Sequence, residues 1–194
     1  CEVGKIRSEA LAEVYEVIAM INAYEQFLLK NNFYRYILND GSQEPYEKVL
    51  STMEPIGPVP VIVPFNFPFA LCASMCIPAF LAGNSVIIKP SEDAPLISLM
   101  WREIMVEAGA PEESVLFLPG KGDIGKALVR FPDPTIQLIA FVGSMEVGIE
   151  IREVCANLAK THHINREVVA EMGSKNPVIV TKHADLKKAA SGIL

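Results

Sequence analysis

Residues Pro58–Glu92 read PVPVIVPFNFPFALCASMCIPAFLAGNSVIIKPSE, and their order of textures decides the fold. Val59 to Val63 is a short β-branched run, and Pro64 and Pro68 fence a turn, Phe65-Asn66-Phe67. Pro68 suits the first position of a helix, where its missing N–H is no loss. From there to Gly83 the sequence is apolar on every side, so the predicted helix must be covered by other elements. Ser85 to Lys89 returns as a second apolar strand. Two apolar strands joined by a helix make a right-handed βαβ unit of a parallel sheet.

Ligands of open parallel sheets lie beyond the carboxyl ends of the strands, where both Asn66 and the Lys89-Pro90-Ser91-Glu92 corner fall. Asn66 reads either as a site amide or as a turn residue near a helix start. Lys89 and Glu92 read either as site residues or as a solvated ion pair of little energetic weight.

The same alternation runs on. Pro95 opens a helix that Gly109 ends; Val115–Leu118 is a strand, Asp123–Arg130 a helix, Ile136–Val142 a strand and Met145–Lys160 a helix. Glu167–Met172 is a strand ending at Gly173, and Pro177–Thr181 is a last short strand before a helix near Ala184. The class is α/β, with a largely parallel sheet covered on both faces. Upstream, Lys5–Leu29 carries apolar residues at helical spacing, Ile6, Ala10, Val14, Val17, Ile18, Ile21, Tyr24 and Leu28, and reads as an amphipathic helix against one side of the sheet. Asn31-Asn32 and Asn39-Asp40-Gly41 are turn signals, and Tyr34–Glu54 reads as extended strands or a surface loop.

Two glycine-bearing turns compete as phosphate sites. Gly120-Lys-Gly122-Asp-Ile-Gly125 fits the GxGxxG spacing, but it is not the first βα turn, and no acidic residue closes a following strand at the expected distance. It reads as a tight turn. At Phe141-Val142-Gly143-Ser144 a strand ends, a glycine allows close approach and a helix begins at Ser144, so free N–H groups and the positive helix end form an anion site. Ser144 reads equally as a plain N-cap. Glu171 is the most suggestive carboxylate. On a strand it shares a face with Val169, while Val168, Ala170 and Met172 point the other way; apolar neighbours at a strand end would partly desolvate it, a setting for a general base. A solvated strand-end glutamate is the alternative.

PFNFP, then LAGNSVIIKPSE, FVGSMEVG and EMGSKNPVIV, in that order, resemble the NAD(P)-dependent aldehyde dehydrogenase superfamily from Gly57 to the end, and more weakly over Glu2–Phe27. The resemblance implies a Rossmann-like dinucleotide-binding domain over residues 1–33 and 55–194, with 34–54 as an oligomerisation hairpin and a homo-oligomer for the complete enzyme. It implies catalytic roles for Asn66, as donor to the thiohemiacetal oxyanion, and Glu171, as base for the hydrolytic water. It implies cofactor contacts from Ser144 and Gly143 to the pyrophosphate and from Lys89 and Glu92 to the adenosine ribose. Phe65 and Val63 would line the channel, Gly122 would lie near the adenosine half, and Gly173 would lie beside the nicotinamide site. Threonine is usual where Met145 stands and glycine where Ser174 stands; the added hydroxymethyl would restrict Glu171. NAD is favoured over NADP because Glu92 would repel a 2′-phosphate, and the motifs lean toward the semialdehyde and pyrroline-carboxylate branch.

Composition is that of a globular rather than a disordered chain. Of 194 residues, 51% are hydrophobic and 21% charged, enough for one core. A net charge of −6, with Lys187-Lys188 the one basic cluster, argues against nucleic acid. The apolar helix after Pro68 is shorter than the roughly 20 residues that a bilayer requires, and no signal pattern opens the chain, so cytoplasm is the expectation. Nothing in the sequence suggests a metal. Cys72, Cys76 and Cys155 sit in apolar helical patterns and read as structural thiols. Cys1, in place of a methionine, suggests an excerpt. The family's cysteine nucleophile would lie a few dozen residues beyond Glu171, past Leu194, so the chain alone is expected to be inactive. Two alternatives are a non-catalytic dinucleotide-binding or assembly module, such as a decayed paralogue, and an ordinary reductase using GKGDIG. His162, His163 and His183 read as exposed.

Overall fold

The computed structural model describes residues 2–39 and 49–193. Cys1, Leu194 and residues 40–48, which hold the Asp40-Gly41 turn signal and the middle of the expected extended stretch, lie outside the described residues. Five parallel strands make the sheet: β3 (Val59–Ile62), β4 (Val86–Lys89), β5 (Val115–Phe117), β6 (Leu138–Gly143) and β7 (Glu167–Met172), in the order β5-β4-β3-β6-β7. The order reverses direction after β5. The chain steps outward from β3 to β4 to β5, then returns to the other side of β3 for β6 and β7. The crevice at such a switch point is where open α/β sheets bind ligands.

Each strand is apolar because helices cover it. On one face lie α1 (Arg7–Lys30), α2 (Ala70–Leu81) and α3 (Pro95–Glu107); there Val59, Val61, Val63, Val86, Ile88 and Ala140 join Cys72, Cys76, Trp101 and Met105 in one cluster. On the other lie α4 (Gly122–Arg130) and α5 (Met145–His162), whose Val129, Ile151 and Cys155 meet Ile139 and Phe141. The three described cysteines are buried, as the sequence predicts. The register Val61↔Ala140↔Val169 sets the first face, and Ile62↔Phe141↔Ala170 the second.

Three expectations need correction. Pro177–Thr181 forms no strand and Ile179 is 83% exposed; its apolar residues lack a neighbouring strand to pair with, and the chain continues to α6 (Leu186–Ile193) without joining the sheet. The sheet has helices on both faces as expected, while on edge strand β7 the α2-side face is open among the described residues, with Val169 46% exposed. Helix α1 buries Glu13, Val17 and Leu28, with Met20 and Tyr24 packed on the core, while Val14, Ile18 and Ile21 face outward. Its covered stripe is therefore rotated from the one that hydropathy selected. Pro68 lies in the turn before α2, although the Phe67 carbonyl already accepts from the Leu71 N–H. Within Tyr34–Glu54, β1 (Arg35–Asn39) and β2 (Val49–Thr52) pair antiparallel, which favours the extended reading over the loop.

Candidate active site

The parallel register brings every predicted site residue but Gly122 to one edge of the sheet or just beyond it. Ile62 is level with Lys89 on one side and Phe141 on the other, and Phe141 is level with Ala170. One residue past that row stand Val63, which is buried, and Glu171; a little further come Gly143, Ser144 and Gly173. Asn66 stands four residues past Ile62, exposed, in the turn that carries the chain onto the α2 face. Glu171 is level with Val142 and, two residues past Val169, shares the face of the Val61–Ala140–Val169 row. Two strand spacings of about 4.8 Å separate β3 from β7, so the ends of the strands that carry the two groups lie roughly 10 Å apart. Phe65 and Phe67 flank Asn66 and are exposed.

Glu171 departs from expectation in its surroundings. It is exposed, because the face it occupies on the edge strand has no helix above it, so partial desolvation is not met among the described residues.

Lys89 departs in the opposite sense. Far from a solvated pair with Glu92, it is 6% exposed, its Nζ donates to the Pro90 carbonyl at 2.8 Å, and its stem lies against Gly125 of α4. Burial holds its ammonium below the ordinary 10.5, partly opposed by attraction to Glu92 and to Asp123. Glu92 is exposed at the same corner. The last residue of β4 is thus a buried cation on the α4 side of the sheet, with the Glu92 and Asp123 carboxylates near enough to attract it.

Ser144 caps α5, its Oγ accepting from the Val147 N–H at 3.3 Å. The helix end is open, with Ser144, Met145 and Glu146 exposed, so the first N–H groups remain available to an anion. The glycine at 143 has a local reason as well. A Cβ there would stand 2.6 Å from the Phe141 ring, which folds back under the turn.

The GKGDIG turn is tight, as predicted, with Gly120 at φ +145 against Ile124. Gly122, the first residue of α4, nevertheless lines a cavity of about 130 Å³ between α4 and α5. Its floor is Ile62; Gly125, Val129, Val147, Ile151 and Val154 form apolar walls, and Lys126 and Arg130 bridge to Glu150 at the rim, 3.1 and 3.3 Å away. This is much smaller than the roughly 300 Å³ and upward of a whole drug-sized site, so it suits one flat ring system. The site thus has an apolar slot on one face of the sheet, an open helix end at the carboxyl edge, and the Asn66 turn and Glu171 on the other face.

The chain belongs to the aldehyde dehydrogenase family. The family's sequence profile, described as "Aldehyde dehydrogenase family", matches residues 1–194. A 1-pyrroline-5-carboxylate dehydrogenase of Bacillus cytotoxicus is 36% identical over 197 residues, covering 100% of this chain and 36% of that protein. Two solved structures are similar. The 1-pyrroline-5-carboxylate dehydrogenase from Thermus with bound NAD has a TM-score of 0.77 and 39% identity over 90% of this chain and 33% of its own. An NADP-dependent glyceraldehyde-3-phosphate dehydrogenase from Bacillus halodurans complexed with NADP has a TM-score of 0.79 and 33% identity over 98% and 38%. The chain thus spans about a third of the length of the relatives it matches. Within this aldehyde dehydrogenase fold, nicotinamide dinucleotide binding is the common property of those two neighbours.

Sequence reasoning missed three groups. Arg166 is buried, its guanidinium donating to the carbonyls of Val129, Phe131, Asp133 and Ile136, which ties the end of α4 to the entry of β6. Glu2 and Glu13 reach the starts of α3 and α2 from outside the sheet. Only Glu13 carried a signal, as the first member of the stripe Glu13, Val17, Met20, Tyr24 and Leu28 at helical spacing. No described helix is long and apolar enough to cross a membrane, and no described group of His, Cys, Asp and Glu gathers as metal ligands.

Proposed function

We propose that this chain is the dinucleotide-binding portion of an aldehyde dehydrogenase that oxidises a small aldehyde or semialdehyde to its carboxylate, with 1-pyrroline-5-carboxylate as the substrate class. The observation that carries the proposal is that the Asn66 turn, buried Lys89, the open end of α5 and Glu171 share the carboxyl edge of adjacent strands. The 36% identical Bacillus relative supports the substrate class.

Bound in the crevice, the dinucleotide would take up a hydride from the substrate carbon. Every other task falls to protein groups. The α4–α5 slot holds the adenine between aliphatic walls, Lys89 and Glu92 bind its ribose, and the α5 end, with Gly143 and Ser144, takes the pyrophosphate. Val63 and Phe65 exclude water from the path toward the nicotinamide, with Gly173 beside it. The Asn66 carboxamide donates a hydrogen bond to the substrate oxygen as negative charge develops there. Glu171, exposed, accepts a proton from the water that completes the reaction. Cys72, Cys76 and Cys155 are buried away from this edge, and burial raises the Cys76 and Cys155 thiols, so none of them acts as nucleophile. The nucleophile comes from outside these residues, and the chain alone turns over no substrate.

Glu92 at the ribose favours NAD through repulsion of a 2′-phosphate. Calorimetric titration of the 194-residue chain with both cofactors tests the reading, with tighter NAD binding expected. Tighter NADP binding overturns the preference, and steady reduction of NAD with 1-pyrroline-5-carboxylate overturns the inactivity.

A further inference from the structure

Two helices start at the candidate site, and neither caps itself. Phe69 before α2 and Ala94 before α3 offer no side-chain acceptor. Both caps arrive from the N-terminal arm. The Glu13 Oε2 accepts from the Phe69 and Ala70 N–H groups at 3.0 and 3.1 Å, and the two Glu2 carboxylate oxygens accept from Leu96 and Ile97 at 2.8 and 3.0 Å. These contacts span 56 to 95 residues of sequence.

The Glu13 contact is the more elaborate. Its carboxylate is 4% exposed, and its second oxygen accepts from Lys5 Nζ at 2.5 Å. The same ammonium stands 3.2 Å from the centroid of Phe67, the residue next to Asn66. Phe69 in turn packs edge-on against Trp101, with ring centroids 5.7 Å apart. The turn Phe65-Asn66-Phe67 itself is exposed and held between two prolines. What fixes it laterally is therefore the Lys5–Glu13 pair on its α2 side, and a buried charged pair with bonds on every oxygen is directional where apolar packing is not.

We propose that Glu13, acting through Lys5 and the start of α2, is a positioning residue that sets the Asn66 turn for the nicotinamide end of the dinucleotide. The inference rests on the proposed dinucleotide reading. It assigns a site role to the N-terminal arm, which touches neither the adenine slot nor the α5 end.

The test separates the two halves of the cofactor. Glu13→Gln keeps the size but forfeits the charge, so the Lys5 pair is lost and the amide bonds weaken. Calorimetry well below the melting temperature would compare NAD with AMP, which carries the adenine, its ribose and one phosphate but no nicotinamide. NAD affinity should fall roughly tenfold and AMP affinity stay within about twofold, while hydrogen exchange at Phe69 and Ala70 speeds at least about tenfold with Val61 and Ile62 still protected. Equal weakening of NAD and AMP would mean a general loss of fold and overturn the proposal, as would unchanged NAD affinity. If Glu13→Gln does not fold, Lys5→Met leaves both amide bonds in place and removes the one ammonium that pairs with Glu13 and stands on Phe67; a loss for NAD alone, about threefold, is then expected, and no loss overturns the proposal. A wild-type chain that binds neither nucleotide defeats the dinucleotide reading instead. In that case the positioning claim is decided by the Asn66 side-chain amide resonance, which shifts in Glu13→Gln if the claim holds and stays fixed if it fails.

Discussion

Gly122→Leu should separate binding from folding more cleanly than any other substitution. A Cβ at Gly122 would meet nothing within 4 Å, and the residue sits at the start of α4 without a positive φ, so the backbone accepts a side chain. Replacing glycine in a helix favours folding by up to about 1 kcal/mol. The new side chain, however, enters the slot of about 130 Å³ above Ile62. Burying an aromatic bicycle removes roughly 150 Å² from water, which at about 25 cal/mol per Å² gives about 4 kcal/mol. Ordering costs offset part of that, and taking half leaves about 2 kcal/mol, or roughly thirtyfold in affinity. Urea unfolding should show Gly122→Leu as stable as the wild type or slightly more so, and calorimetry should show NAD binding weakened about thirtyfold. Wild-type affinity in a folded variant would refute the slot as the adenine site.

Three further outcomes follow from the geometry. Ser144→Asp keeps an N-cap of equal quality, so stability should hold within about 0.5 kcal/mol, while its carboxylate should repel the pyrophosphate and lower NAD affinity at least tenfold or so; unchanged affinity would return the phosphates to the GKGDIG turn, as in an ordinary reductase. Arg166→Met removes four bonds to backbone carbonyls and leaves buried acceptors bare, so the urea midpoint should fall by the equivalent of about 3 kcal/mol; a loss under about 1 kcal/mol would contradict that role. Cys155, raised above 9.0 by burial, stays protonated in the fold at pH values where the unfolded thiol ionises. Stability relative to Cys155→Ala should therefore be constant below pH 9 and fall above it, by up to about 1.4 kcal/mol per pH unit; a flat difference in urea unfolding across that range would refute it.

The sheet was legible because its strands are apolar on both faces and separated by helices with glycine or proline at their ends. Glu167–Met172 matches the observed strand at both bounds, and Ser144 caps α5 as its position implies. Hydropathy could not choose the buried stripe of α1, since apolar residues lie on both sides of it and the covered one includes Glu13. The trans caps from Glu2 and Glu13 were illegible for the same reason that they matter: each partner lies 56 or more residues away. Pro177–Thr181 has strand composition without a strand to pair with, and the exposure of Glu171 depends on what covers an edge, which local sequence does not encode. The role of Gly143 in receiving the Phe141 ring is also tertiary.

The central claim is that one dinucleotide runs from the α4–α5 slot over the sheet edge to the Asn66–Glu171 crevice. Nuclear magnetic resonance of the isotope-labelled chain titrated with NAD tests it most directly. The account predicts saturable shifts at Gly122, Val147, Ser144, the Lys89–Glu92 corner and the Asn66 turn together, with the Arg166 end of the sheet unmoved. Shifts confined to the Arg166 end, or none at saturating NAD, would contradict it.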